Sequence, residues 1–355
     1  MSSKHHAIFE TIHADILQGR YAAGSRLPSE ESLCRKWKVS RPTVARALHD
    51  IQALGLVERR AGSGTYVRVH VQSTRPTLGI FAEGLGKTEI LDPICAEITR
   101  SAQERGCAVF TGGLPHEQSP RDLAKHWEKN GVRGVIFAPL ENIPDREPYN
   151  LRVAKAFQEA GMSVILIDRD ATEFPFRSNY DLISMDNFQA GCLIGKHLAE
   201  SQRYRVAFVA KPNFPSSTNL RLAGIREGLG EKNFSPVDFF IGDPEEADFV
   251  KKITHASSPY AAVVCSNDLT AAQLLKTSMR LGKTIPEDFL LTGFDDVRYA
   301  TLLPVPLTTI RQPCREIGIT CIDTLLTRLE HPKLPPRAIF LTGQLIIRTS
   351  TTPSR

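Results

Sequence analysis

Apolar runs long enough to cross a bilayer, about 18 to 20 residues, are missing from this chain of 355 residues. Its start, Met1-Ser2-Ser3-Lys4-His5-His6, has no apolar core of a secretory signal. We therefore expect a cytoplasmic protein with no membrane partner. The seven cysteines (Cys34, Cys95, Cys107, Cys192, Cys265, Cys314 and Cys321) form no Cys-x-x-Cys pair. Most lie in apolar stretches, so they read as reduced, buried small hydrophobes rather than as metal ligands or disulfides. Catalytic signatures are missing too. The sequence contains no G-x-S-x-G nucleophile elbow, no G-x-x-x-x-G-K-[ST] phosphate loop and no H-E-x-x-H zinc helix. Gly84-Leu85-Gly86-Lys87 has the tail of a phosphate loop but lacks its leading glycine at the right spacing. The expectation is a protein with no catalytic residue, no metal and no cofactor.

What is present is ordinary globular material, 41% hydrophobic and 23% charged. That length suits two or three domains. The net charge of +5 is unevenly placed: residues 1–76 hold 12 Lys+Arg against 6 Asp+Glu, and the rest is close to neutral. A basic excess confined to one end is how a footprint for a phosphate backbone looks.

Ile8, Ile12 and Ile16, with Phe9 beside them, recur at helical spacing and predict a first helix ending near Gly19. Ser29, followed by Glu30 and Glu31, is a good N-cap for a second helix carrying Leu33 and Trp37. Ser40 is another, with Pro42 in the first turn of a third helix through Val44, Ala47, Leu48, Ile51 and Leu54, stopped by Gly55. Two short strands follow, around Gly62-Ser63-Gly64. Three helices and a hairpin make a winged helix-turn-helix over 1–68, whose third helix is sized for the major groove. Residues 69–76 read as an extended linker.

The run GSRLPSEESLCRKWKVSRPTVARALHDIQALGLVERRAGSGTYV (24–67) resembles the DNA-binding domain of the GntR family across the whole subdomain. The resemblance implies operator contacts from Ser40, Arg41 and Thr43, with Ser29 and Glu30 near the DNA backbone. It also implies a wing tip, Gly62 to Gly64, in the adjoining minor groove. Arg41 carries the fork that reads guanine O6 and N7. Ser29 and Ser40 would cap helices whatever the function, so cap and contact both stay open for them. Two positions depart from the family: Glu31 and Ala45 stand where it often has arginine. Arg46 is one place later, about 100° around the helix, so it is a candidate contact that does not simply inherit the role.

From residue 77 apolar strands alternate with helical stretches over some 270 residues, predicting an α/β region with parallel, doubly wound sheets. The segments IDRD (167–170), SMDNFQAGCLIGKHL (184–198), NLRLAGIREGL (219–229) and VVCSNDLTAAQLL (263–275) are similar to the effector domain of the LacI family. So are IPEDFLLTGFDDVRYATLLPVPLTTIRQPCREIG (285–318) and LIIRTST (345–351). That family is itself similar to periplasmic sugar-binding proteins. The resemblance implies two lobes, roughly 77–183 with 311–340 and 184–310 with 341–355, a small-molecule effector between them, and a homodimer bound to double-stranded operator DNA. Ligands of such folds sit beyond the carboxyl ends of strands. That nominates Ala82–Leu85, Asp92, Asp168, Asp186, Arg221, Asn267, Asp268 and Asp295, and residue types of this kind suit a polyol. Phe81, Phe214 and Phe294 are possible stacking rings or core residues. Asp186, Asn187 and Asp296 read equally as turn or cap residues.

Overall fold

The computed structural model describes the chain except for residues 1–3, 18–19, 22–23, 54–56, 61–62, 68–75, 84–87, 113–118, 142, 144, 201–204, 231–236, 256–257 and 353–355. Leu54, Gly55, Gly62, the 69–75 part of the linker and Gly84 to Lys87 lie outside the described residues. Contacts divide the chain into two units, Met1–Arg75 and Pro76–Arg355.

The first unit contains α1 (Lys4–Leu17), α2 (Glu30–Trp37), α3 (Arg41–Ala53) and an antiparallel hairpin of β1 (Val57–Arg60) and β2 (Gly64–Val67). The regularly spaced isoleucines do what their spacing implies: Ile8, Ile12 and Ile16 are buried against Leu33, Val44, Leu48, Ile51, Val57 and Val67. The Ser29 hydroxyl accepts the Ser32 N–H at 3.2 Å and starts α2, and Lys38 in left-handed backbone ends it. At α3 the Ser40 carbonyl accepts from Thr43 and Val44, while its hydroxyl bonds the Thr43 hydroxyl at 3.0 Å.

The second unit runs β3 (Thr77–Phe81), α4 (Leu91–Glu104), β4 (Val109–Gly112), α5 (Pro120–Lys129), β5 (Val132–Phe137), α6 (Arg146–Glu159), β6 (Ser163–Ile167) and β7 (Asp181–Met185). It continues with α7 (Asn187–Glu200), β8 (Val206–Ala210), α8 (Ser217–Leu229), β9 (Asp238–Ile241), α9 (Ala247–Thr254), β10 (Ala262–Cys265), α10 (Asp268–Arg280) and β11 (Leu290–Thr292). Last come β12 (Thr309–Arg311), α11 (Cys314–Glu330), β13 (Ala338–Leu341) and β14 (Gln344–Ile346).

Two parallel sheets result, one per lobe. The first has order β4-β3-β5-β6-β7-β13 and the second β9-β8-β10-β11. In both, the order reverses beside the lobe's first strand, at β3/β5 and at β8/β10, which is the switch point where α/β folds bind ligands. Helices cover both faces, so the strands are nearly continuous apolar runs. The boundary expected after residue 183 falls slightly later, because β7 completes the first sheet through Met185 before α7 enters the second lobe. Short β12 pairs with β14 where the chain crosses back and forth between lobes.

Two local devices fix this arrangement. On α7 and α8, Gly191 and Gly195 face Gly224 and Gly228, and a Cβ on any of them would come within 2.5 Å of the partner helix's backbone carbonyl oxygen. Only glycine permits that close crossing, and it brings Asn187 on α7 beside Arg221 on α8. On the first lobe, the fully buried Asp181 takes Arg328 of α11 at 2.8 and 3.0 Å and the Arg337 N–H at 2.7 Å. Burial alone would raise its carboxyl, but the bonds and charges from Arg328 and Arg337 bring it below the ordinary range.

Candidate functional site

In the first unit, the carboxylate of Glu30 takes Arg41 Nε at 3.0 Å and Arg59 of β1 at 2.7 Å. It thereby ties the start of α3 to the wing strand. Ser29, Glu30, Arg41 and Gly64 line one recess together with Arg26 and Arg59. Glu30, nominated for the DNA backbone, points instead at two arginines of its own chain. Its bond to Arg41 uses only Nε, and the side chain of Arg41 stays 82% exposed. Ser40 and Thr43 flank Arg41 on the first turn of α3, with Ser40 exposed and Thr43 half-buried. Arg46 is exposed but outside the recess, its charge felt by Asp50 one turn on. Gly64, at φ 120°, lies against Arg26, whose Nε a Cβ there would meet at 2.6 Å. Glu31 pairs with Arg35 along α2 at 3.4 Å, and Ala45 is half-buried.

In the second unit, a cavity of ≈ 560 Å³ opens between the two sheets' carboxyl ends, within the ordinary size of small-molecule sites. Asp168, Arg221, Asn267 and Asp295 all line it, with Glu83 and Glu89 at its rim. Three of them arrive at the end of a strand: Asp168 after β6, Asn267 after β10, Asp295 after β11. Asn267 also caps α10, accepting the Thr270 N–H at 2.8 Å. Arg221 donates from Nε to Asn187 Oδ1 at 2.8 Å and from Nη1 to the Ser266 carbonyl. Its guanidinium carbon lies 4.7 Å from the Phe294 ring centre, and Nη2 is 3.5 Å from Asp295. Asp295 also accepts from Gln312 at 2.8 Å. Burial pushes its carboxyl up to about 6; Arg221 and Gln312 oppose the rise, and Asp168 and Glu141 add to it.

Asp168 and Asp295 share an unusual backbone, with φ of 68° and 116°. A non-glycine residue there costs on the order of 1–3 kcal/mol. Both are held by bonds from their own N–H, to Ile183 and Ile310 at 2.9 and 2.8 Å. The fold thus tolerates strain to aim two carboxylates into one cleft.

Other nominated residues stand elsewhere. Asp268 is fully buried beneath the cleft, where it accepts from the Thr309 hydroxyl at 2.6 Å and the Val297 N–H at 3.1 Å. Burial first, then the charge of Asp295, holds its carboxyl well above the usual range. Asp186 caps α7 through the Gln189 N–H at 2.9 Å and is not part of the cavity wall. Asp92 folds back on Thr88 at 3.2 Å. Phe81 and Phe294 are core rings, and Phe214 packs on Phe239. Asp296 is bound by Arg311 and Arg348.

Residues not nominated complete the wall: Glu141, Arg169, Ser217, Thr218, Tyr299 and Gln312. Arg169 bridges Glu141 and Asp168 and donates to the Pro139 carbonyl at 3.1 Å. Three buried polar atoms in this wall have no protein partner: Arg169 Nε, Thr218 Oγ1 and Gln312 Oε1. Buried polar groups are nearly always satisfied, so this wall holds unused hydrogen-bonding capacity. Among the described residues no acidic, histidine or cysteine cluster has metal-site geometry, and no helix is long and apolar enough to cross a membrane. All seven cysteines are free, and burial raises the Cys95 and Cys314 thiols to about 12.

Comparison with known proteins agrees with both halves. Residues 4–67 match the bacterial regulatory proteins of the gntR family, and residues 196–351 match the periplasmic binding protein-like domain. The chain is 24% identical to an arabinose metabolism transcriptional repressor of Geobacillus stearothermophilus, over 95% of this chain and 94% of that one. It is 27% identical to the ribose operon repressor of Bacillus subtilis (strain 168), over 76% and 80%. Among solved structures, a complex of the transcriptional regulator CelR with cellobiose aligns at a TM-score of 0.66 with 20% identity, over 88% of this chain and 91% of that one. A LacI family transcriptional regulator from Enterococcus faecium with bound ribose aligns at 0.62 with 22% identity, over 79% and 100%. The chain is therefore a transcription regulator and not an enzyme, a winged helix-turn-helix that matches the gntR family over residues 4–67 joined to a periplasmic-binding-protein-like domain of LacI fold.

Proposed function

We propose that this regulator is a cytoplasmic repressor whose hold on operator DNA is set by a small sugar bound between its lobes. The single observation that carries the sugar half is the cleft wall. Carboxylates, an amide and guanidinium N–H groups converge there at both switch points, with three buried polar atoms unpartnered. Vicinal hydroxyls both donate and accept, so they suit such a mixed wall. Asp168, Arg169, Arg221, Asn267, Asp295 and Gln312 are the residues we assign to the ligand. The names of the arabinose and ribose repressors support the same reading.

The DNA half rests on the exposed face of α3. Arg41 would read a base edge, Ser40 and Thr43 would grip phosphate, and the wing carrying Gly64 would lie along the minor groove. One such reader covers a half-site, so the working unit is a homodimer on a two-fold operator. The test is an electrophoretic shift on the chain's own promoter region, with and without pentoses and hexoses. A salt-sensitive, sequence-specific complex that one sugar releases is the expected result. Absence of specific binding would sink the regulator half, and indifference to every sugar would sink the effector half.

A further inference from the structure

Resting on the sugar reading above, we propose that Glu141 makes the cleft selective for charge. It withholds Arg169 from anionic groups, so that the site takes a neutral polyol ring and rejects phosphorylated or carboxylated counterparts. A phosphate or carboxylate is best held by a guanidinium offering two parallel N–H groups. Each cleft arginine already has three of its five N–H groups engaged within the protein. Arg169 commits Nη1 to Glu141 and the Pro139 carbonyl, and Nη2 to Asp168. Its buried Nε and one N–H of Nη2 are left. Arg221 commits Nε to Asn187, Nη1 to the Ser266 carbonyl and Nη2 to Asp295.

One helix start at the cleft is also taken. The start of α10 is filled by the Asn267 amide oxygen on the Thr270 N–H, with the Asp268 carboxylate next to it. Ser217 and Thr218 on the first turn of α8 bring hydroxyls without charge. Among the described lining residues, Glu83, Glu89, Glu141, Asp168 and Asp295 face only Arg169 and Arg221 as cations. An incoming anion meets a surplus of its own sign in a partly desolvated space, where like charges repel far more than in water.

Glu141 is the acid of this set with the clearest selectivity role. Asp168 is fixed by strained backbone and Asp295 is tied to Arg221 and Gln312, whereas Glu141 follows β5 and acts on Arg169. Removing its charge loosens the hold on Nη1, which keeps its bond to the Pro139 carbonyl, and cuts the surplus by one.

Calorimetry on the full chain would use D-ribose and L-arabinose beside D-ribose 5-phosphate and L-arabinonate. We expect a neutral sugar to bind and its anionic counterpart to bind at least about tenfold more weakly, the scale of one repelled charge. Glu141→Gln should narrow that ratio by about tenfold, and the gain should vanish in Glu141→Gln combined with Arg169→Gln. Melting curves confirm that each variant folds; Glu141→Asp, which withdraws the carboxylate by one methylene, serves if Glu141→Gln does not. If the native chain takes the phosphate as tightly as the free sugar, or Glu141→Gln leaves the ratio unchanged, the charge filter is overturned while the sugar reading stands. If no probe of either kind binds, both are overturned together.

Discussion

Each unit of this protein holds a nominated arginine against a carboxylate, and the two pairs differ in almost everything else. Arg41 is 82% exposed and its bond to Glu30 lies in solvent. Arg221 is 7% exposed, stacked on Phe294, and its partner Asp295 is held in strained backbone. An exposed pair gains little net energy and exchanges partners readily. A buried pair contributes little as a whole, yet losing one member leaves a charge that nothing solvates. Under the proposed function, the reader pair would be exchanged for DNA, and the cleft pair would stay in place while a ligand is fitted around it.

That contrast can be broken in four ways. Arg221→Ala should cost the most, on the order of 3–5 kcal/mol of stability in the second unit, as removal of one member of a buried pair does. It should also abolish the response to sugar, and the deficit in melting temperature should shrink below about pH 6, where Asp295 takes up a proton. An unchanged melting curve would show that the buried pair is no different from the exposed one.

Asp295→Asn comes next. The folded carboxyl titrates near 6, above its unfolded value near 3.8. The native state therefore holds the proton more tightly between those limits, and stability falls as pH rises through that window. The variant should lose that part of the pH dependence, a slope of about 1.4 kcal/mol for each pH step within the window, while binding sugar more weakly. Melting curves from about pH 4 to pH 7, which bracket the two values, decide it.

Arg41→Ala should leave the melting temperature nearly unchanged but cut specific operator affinity by about tenfold to a hundredfold, with non-specific binding much less affected. Comparing shifts on operator and scrambled DNA separates the two. Glu30→Gln should do least: a small loss of operator affinity, from a less well-aimed Arg41, with no detectable change in melting. A large loss of fold stability would mean that Glu30 is a structural post.

Much of the fold was legible because its signals are long. The isoleucine spacing of α1 and the capping serine of α2 stand where their patterns put them, and the expected alternation of apolar strands and helices from residue 77 is the one observed. Helix α5 and the short strands at the crossings were not legible. Helix α5 offers only Leu123, Ala124 and Trp127 to the core, and β12, β13 and β14 are three or four residues each at crossings and edges. The cleft was half legible. The strand-end rule nominated Asp168, Arg221, Asn267 and Asp295, all of which line it. Neighbouring residues then divided by direction alone: Asn267 faces the cavity while Asp268, one place on, is buried under it. Arg169 sits inside the IDRD run, and Glu141 follows the end of β5 at a switch point, so the strand-end rule could have found both. Gln312 had no such cue, since its place depends on where β12 crosses between lobes.

The crossing itself has a mechanical side. A Cβ on Gly343 would meet Ile310 at 2.7 Å and the Met185 sulfur at 2.8 Å, so the three segments that pass between lobes touch at one point. Such a knot resists sliding and leaves turning as the low-cost motion, as an axle does. Contacts far from an axle exert more torque than those beside it. Gln312 sits close to this axle, while Glu83 and Glu89 lie out on the rim. Residues there would therefore have a longer lever on any turning of the lobes than residues beside the crossing.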